Sequence, residues 1–204
     1  MVNAYLAFLV LLALQRIGEL VISRRHTRWA LARGGVEFGE RHFRIMAALH
    51  VAFFLGCAGE VVRLSRPFDP LLGYPMLAIA LLAQIVRAAS MRALGPYWNA
   101  RVIVVPGAPV VTRGPYRFVR HPNYAAVVLE GFAVPLIHGA WLTASAFSLL
   151  NAILLSVRIR CEERALAAHS DYARRLGSRA RFLPRLGVRR QRAAPAAPVS
   201  SEGS

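Results

Sequence analysis

YAAVVLEGFAVPLIHGAWLTASAFSLLNAILLSV, from Tyr124 to Val157, is the stretch on which the fold turns. It contains one acid, Glu130, one histidine, His138, and no arginine. Two apolar runs, Tyr124–His138 and Trp141–Val157, meet around His138, Gly139 and Ala140. A helix of about 20 apolar residues crosses a ~30 Å hydrocarbon core, so the pair reads as a tight helical hairpin set in a bilayer. The first arm is short for a span and carries Pro135. Three further runs of bilayer length lie upstream, at Asn3–Ile22, Phe43–Val62 and Leu71–Leu94. The expectation is an all-α integral membrane protein with about five transmembrane helices.

The whole chain agrees with this class. Its 204 residues are 56% hydrophobic, with a mean hydropathy of +0.42, which excludes disorder and fibrous repeats and exceeds what a soluble domain of this size needs. The chain is also strongly basic, with 26 basic residues, all arginine, against 10 acidic ones and a net charge of +16. A nucleic-acid binder would gather such charge on one soluble face with stacking aromatics. Here 22 arginines fall in three separate segments, Arg24–Arg44, Arg92–Arg120 and from Arg158 onward. Only Arg63 and Arg66 lie in the intervening loop, and Arg16 and Arg87 lie within spans. Short cytoplasmic loops accumulate arginine, so the N-terminus is expected outside and the C-terminus in the cytoplasm. The first span lacks a basic leader segment and a small-residue cleavage site, so it is expected to stay in the mature chain. Residues 1–187 are expected to form a single membrane-embedded domain, and 188–204, rich in Arg, Ala, Pro and Ser, a disordered tail. Cys57 and Cys161 make neither a disulfide framework nor a zinc site, and no metal is expected.

Ionisable side chains inside spans are costly and usually face a bundle interior or a cavity. Arg16 and Glu19, three apart, are expected to pair locally, as are Glu60 and Arg63. His50, Gln84, Arg87 and Glu130 lie deeper. Glu130, six residues beyond Tyr124, is a candidate for the wall of a cavity and for contact with a bound substrate.

The third loop reads GPYWNARVIVVPGAPVVTRGPYRFVRHPNY from Gly95 to Tyr124. Val102–Val105 and Val110–Val111, parted by Pro106, Gly107, Ala108 and Pro109, suggest a small extended hairpin or paired turns. Pro122 suits the first turn of the fourth span and places His121 beside that helix N-terminus, where unpaired amides favour negative charge. With Arg117, Arg120, Tyr116 and Tyr124 nearby, the site suits a ligand that is both anionic and aromatic. Beyond the fifth span the helix is expected to continue to about Leu176. Arg158 and Glu162, four apart, share a face there. Because both arms of the hairpin return to one side, His121, Tyr124, Arg158 and Glu162 are expected to converge at the membrane surface.

GPYRFVRHPNY (Gly114–Tyr124), followed by RIRCEERAL (Arg158–Leu166), with DYARR (Asp171–Arg175) and RFLPRL (Arg181–Leu186) beyond, resembles the isoprenylcysteine carboxyl methyltransferase family and the related phospholipid methyltransferases. The likeness runs from about Gly95 to Leu186, with Ala126 standing where the family often has glycine. It implies a membrane enzyme that transfers a methyl group from S-adenosylmethionine to a lipophilic acceptor entering from the bilayer, among membrane lipids and without nucleic acid. By position it implies that Val110, Val111, Tyr116, His121, Pro122, Asn123 and Tyr124 contact the cofactor. Glu162 would bind the cofactor's amino-acid part, and Arg158 would face the acceptor as the catalytic residue. An anionic Glu suits an ammonium and a sulfonium, while Arg orients a carboxylate or enolate oxygen. The N-terminal half, RIGELVISRRHTRW (Arg16–Trp29) with GGVEFGERHFRIMAALH (Gly34–His50), is closer to a bacterial branch that O-methylates long-chain alkylpyrones or related phenolic lipids. The expected location is the bacterial cytoplasmic membrane, with a cofactor pocket facing the cytoplasm. Carboxyl methylation of a prenylcysteine-like acid, phospholipid N-methylation and non-catalytic lipid binding are the alternatives.

Overall fold

The computed structural model describes residues 1–182, so the expected tail at 188–204 lies outside the described residues. Six α-helices are present among them: α1 Val2–Leu31, α2 Glu40–Arg63, α3 Pro70–Leu94, α4 Pro122–Leu136, α5 Trp141–His169 and α6 Tyr172–Leu176. Two three-residue strands, β1 Val36–Phe38 and β2 Val102–Val104, and two 3-10 turns, Gly95–Tyr97 and Gly114–Arg117, complete the order. The chain is mostly helical, with a small two-stranded β element beside the all-α bundle.

Four helices, α1, α2, α3 extended through Tyr97, and α5, are long and apolar enough to cross a membrane. Their outer faces remain apolar and uncovered, as at Leu11, Leu55, Leu71 and Leu149, where lipid takes the place of a protein neighbour. With a rise of 1.5 Å per residue, α1 and α5 each measure about 45 Å, more than the hydrocarbon thickness. α4 is different. Its 15 residues give only about 22 Å, shorter than a straight span requires.

The local chemistry explains these ends. Asp69 caps α3 by accepting from Leu71 N at 2.9 Å, with Pro70 in the first turn where a missing amide is harmless. Pro122 starts α4 in the same way. Pro135, in the last turn, hands over to a tight turn in which Ala140 N donates to Pro135 O at 3.0 Å and Gly139 takes φ +62. The α4 and α5 arms therefore pack as a hairpin. Gly131 makes this close approach possible, since a Cβ there would sit 2.3 Å from Phe147 Cε1.

Two expectations are corrected here. Val102–Val104 pairs with Val36–Phe38 as an antiparallel ribbon, in the register Val36 to Val104 and Phe38 to Val102, and not with Val110–Val111. Pro106 and Pro109 lack the amide donors a local hairpin would use, whereas Val36–Phe38 offers an extended edge. The helix expected to run to Leu176 breaks at Ser170, whose hydroxyl donates back to Leu166 O at 2.7 Å, and restarts as α6.

The helices alternate in direction, so the segments around 32–39, 95–121 and 158–182 gather at one end. The opposite end holds 64–69 and 137–140. A cluster including Tyr5, Leu9, Phe53, Cys57, Val134 and Phe147 fills the bundle towards that opposite end. Glu60, expected to pair with Arg63, instead reaches Arg66 at 3.0 Å and the start of α5, accepting from Thr143 N at 2.8 Å and Leu142 N at 3.2 Å. A carboxylate opposite unpaired first-turn amides is a strong partner for them, worth up to about 2 kcal/mol, and it ties α2 to the hairpin.

Candidate active site

One cavity of about 540 Å³ runs from the gathered loops into the bundle. Val110, Val111, Tyr116, His121, Asn123, Tyr124, Arg158 and Glu162 all border it. Pro122 and Glu130 do not: Pro122 is buried at the start of α4, and the Glu130 carboxylate lies behind Arg16.

At the loop end, Tyr124 on the first turn of α4 faces Arg158 on α5. Arg158 Nε donates to the Tyr124 hydroxyl at 2.8 Å, and that hydroxyl donates to Glu162. Arg158 Nη2 donates to Ala100 O at 2.5 Å, fastening the third loop to α5. Arg158 is only 3% exposed, and its charge is met by a hydroxyl, a carbonyl and a carboxylate one bond further on. Glu162 lines the cavity with a second oxygen to spare. Its neighbour Glu163 faces the other way. It accepts from His121 Nε2 at 3.0 Å and Arg181 Nη2 at 2.7 Å, and forms an ion pair with Arg120 Nη1 at 3.1 Å. The two adjacent acids thus differ in role, one bordering the cavity and one holding its rim.

That rim is further secured by backbone bonds. Arg120 N donates to Ala180 O at 2.9 Å and His121 N to Arg181 O at 3.0 Å, while Arg179 donates to Tyr116 O. His121 stacks on Tyr124 with ring centres 5.4 Å apart, and its Nε2 also lies 3.5 Å from the Tyr172 hydroxyl. Burial pushes the phenols of Tyr116 and Tyr172 up, with the nearby acids adding to the effect, so both are neutral hydroxyls in the physiological range.

Sequence reasoning did not single out Trp98, Ala100, Ser170 or Tyr172. All four border the cavity. Trp98 follows the Gly95–Tyr97 turn and Tyr172 opens α6. The only sequence signal was the presence of an aromatic beside a turn. Four buried polar atoms of residues on the cavity wall have no hydrogen-bond partner among the described residues: Trp98 Nε1, Asn123 Oδ1, Arg87 Nη1 and Arg120 Nε. Buried polar groups are nearly always paired, so these atoms call for a partner that the described residues do not supply.

Deeper in the bundle lies a second group of charges. Arg16 pairs with Glu19 at 2.6 Å, as expected, and also holds Glu130 with contacts of 2.7 and 2.9 Å. Arg87 Nε donates to Glu19 at 3.2 and 3.3 Å, and Gln84 joins through Arg16. Among the described residues no group of His, Cys, Asp and Glu could hold a metal ion.

Comparison with known proteins adds four findings. Residues 76–168 match the family model described as the isoprenylcysteine carboxyl methyltransferase (ICMT) family. The chain is 40% identical over 163 residues to an uncharacterized protein, YpbQ, of Bacillus subtilis (strain 168), covering 79% of this chain and 96% of that relative. It is 27% identical over 167 residues to an uncharacterized protein of Haemophilus influenzae, covering 79% and 94% respectively. Among solved structures it resembles the eukaryotic intramembrane Ras methyltransferase ICMT, with a TM-score of 0.50 and 21% identity. That match covers 65% of this chain and 50% of the eukaryotic one, and it shows a common fold over that part.

Proposed function

Because the chain belongs to the isoprenylcysteine carboxyl methyltransferase family, a family of methyltransferases with several membrane-spanning helices, we propose that it transfers a methyl group from S-adenosylmethionine to an oxygen of a lipophilic acceptor. The observation that carries this reading is one continuous cavity, which joins a polar end around Asn123, Tyr124, Arg158 and Glu162 to an apolar stretch between α1 and α2. A water-soluble cofactor suits the first part and a lipid-tailed substrate the second. The acceptor in this proposal is an alkylpyrone or a similar enol or phenol. Carboxyl methylation of a prenylcysteine-like acid uses the same two-ended cavity.

The residues at the polar end fit the cofactor. Asn123 Oδ1 is a buried acceptor without a partner among the described residues, suited to an amino group. Glu162 offers a carboxylate to an ammonium, and Val110, Val111 and Tyr116 supply flat apolar contacts. The cofactor contributes an electrophilic methyl on a sulfonium. The protein's share is to hold the acceptor oxygen in line and to exclude water, which is the chief source of acceleration when both reactants are bound. Arg158, fixed by Tyr124 and Ala100, lowers the cost of a negative acceptor oxygen, so an acceptor that is already ionised needs no general base. His121, tied to Glu163 and Tyr172, positions the rim.

In this proposal residues 1–187 act as one domain with the N-terminus outside, the cavity mouth facing the cytoplasm of a bacterium, and α4 completing five membrane-embedded helices. α4 reaches across only part of the bilayer, closed off by the Pro135 turn. The test is titration calorimetry of the detergent-purified full-length protein with S-adenosylhomocysteine, together with transfer of tritiated methyl to a 4-hydroxy-6-alkyl-2-pyrone or to farnesylcysteine. Binding and transfer are expected in wild type. Glu162→Ala is expected to abolish cofactor binding, and Arg158→Ala mainly to impair the acceptor. Absence of S-adenosylhomocysteine binding by wild type overturns the proposal.

A further inference from the structure

Arg87, on α3, stands on the cavity wall away from the cofactor end and is 6% exposed. Its Nε is committed to Glu19, and its Nη1 is buried with no hydrogen-bond partner among the described residues. Gln84 Nε2 is another buried donor of this group without a partner among the described residues, but Gln84 does not border the cavity. Arg16 serves Glu19, Glu130 and Gln84, while the His50 ring bonds to Met46 O at 2.8 Å. A guanidinium is a rigid fork, so with Nε fixed on Glu19 the direction of Nη1 is fixed as well. The cluster contains two arginines and two glutamates, so its formal charges cancel and it does not call for a further anion. The group that completes it is a neutral acceptor oxygen.

Glu130 lies six residues along α4 from Tyr124, about 9 Å further into the bundle. The wall beside the cluster is formed by Ile17, Met46, Val51, Phe54 and Leu55 of α1 and α2, of which Ile17, Val51 and Leu55 are exposed on the lipid-facing surface. We infer that Arg87 is a second recognition point for the acceptor, its guanidinium, of which only Nε has a partner among the described residues, donating to an uncharged carbonyl oxygen that lies deeper in the bilayer than the oxygen receiving the methyl group. The preferred acceptor class is then one with two oxygens, one enolic or acidic and one a carbonyl, on a single alkyl chain that leaves between α1 and α2. This rests on the reading of the cavity as the acceptor chamber.

The test compares two probes of equal tail length, tritiated 4-hydroxy-6-pentadecyl-2-pyrone, which has a ring carbonyl, and tritiated 3-pentadecylphenol, which has none. Binding to the full-length protein in nanodiscs is measured without cofactor, so that the outcome does not depend on methyl transfer. Wild type is expected to bind the pyrone at least tenfold more tightly than the phenol. Arg87→Met is expected to remove that preference while phenol affinity stays within twofold. Arg87→Lys keeps a charge beside Glu19 but loses the second arm of the fork, and it decides the matter if the methionine variant does not fold; it is expected to lose the same preference. Equal affinity of wild type for the two probes, no binding of either, or a parallel change for both in the variants overturns the inference. S-adenosylhomocysteine binding, measured alongside, reports separately on the proposed function.

Discussion

The Tyr124 hydroxyl stands between opposite charges, accepting from Arg158 and donating to Glu162. Buried hydrogen bonds to charged groups contribute about 1.5–3 kcal/mol each, so Tyr124→Phe leaves Arg158 and Glu162 each short of a partner inside the cavity. The expected outcome is a fall in kcat/KM of about 10- to 100-fold, measured by methyl transfer at saturating cofactor. Unchanged kinetics would remove this hydroxyl from the site. At this scale the motif GPYRFVRHPNY was informative because its residues are consecutive and lie on one turn and one helix start. The partner of each residue was less so. That Glu163 rather than Glu162 meets His121 depends on the rotation of α5 against α4, and adjacent identical residues carry no sign of it. Arg87 likewise reads in sequence as one arginine inside a span; its unpaired nitrogen is a property of the assembled bundle.

Among the elements, the α4 and α5 hairpin is the most tightly specified. Gly131 faces Phe147 at a distance that excludes a side chain, so Gly131→Ala overpacks the pair at an expected cost of about 1–3 kcal/mol. The melting temperature in detergent is expected to drop for Gly131→Ala and to recover in part when Phe147→Leu is added; an additive loss in the double variant would place the strain elsewhere. Glu60→Ala should also lower the melting temperature, by freeing the first amides of α5 and Arg66 together, and Glu60→Gln should lower it less. The long helices were legible because about 20 consecutive residues carry the signal. The β1 and β2 ribbon was not, because three-residue strands separated by an intervening pair of long helices are selected by the bundle that brings them together. The same holds for Glu60, whose nearest candidate partner in sequence was Arg63 and whose partners in space are the start of another helix and Arg66.

For the whole molecule, the proposed orientation has a direct consequence for labelling. In a background of Cys57→Ala and Cys161→Ser, a cysteine at Arg63 is expected to react with a membrane-impermeant maleimide in intact cells. One at Arg33 is expected to react only after the cells are opened, and the reverse pattern would invert the topology. The placement of arginines between the apolar runs led to the proposed orientation, whereas the gathering of three loops into one cavity required the tertiary fold. The rim of that cavity also bears on how the protein is made. Residues 179–181 hold the backbone at Tyr116, Arg120 and His121, and they leave the ribosome after every long helix has already been synthesised. Insertion into the membrane and formation of a competent site are therefore separate events in the life of the chain. On the proposed function, a nascent protein can occupy the bilayer with its long helices and still be unable to retain a cofactor until residues 179–181 fold back across the loop.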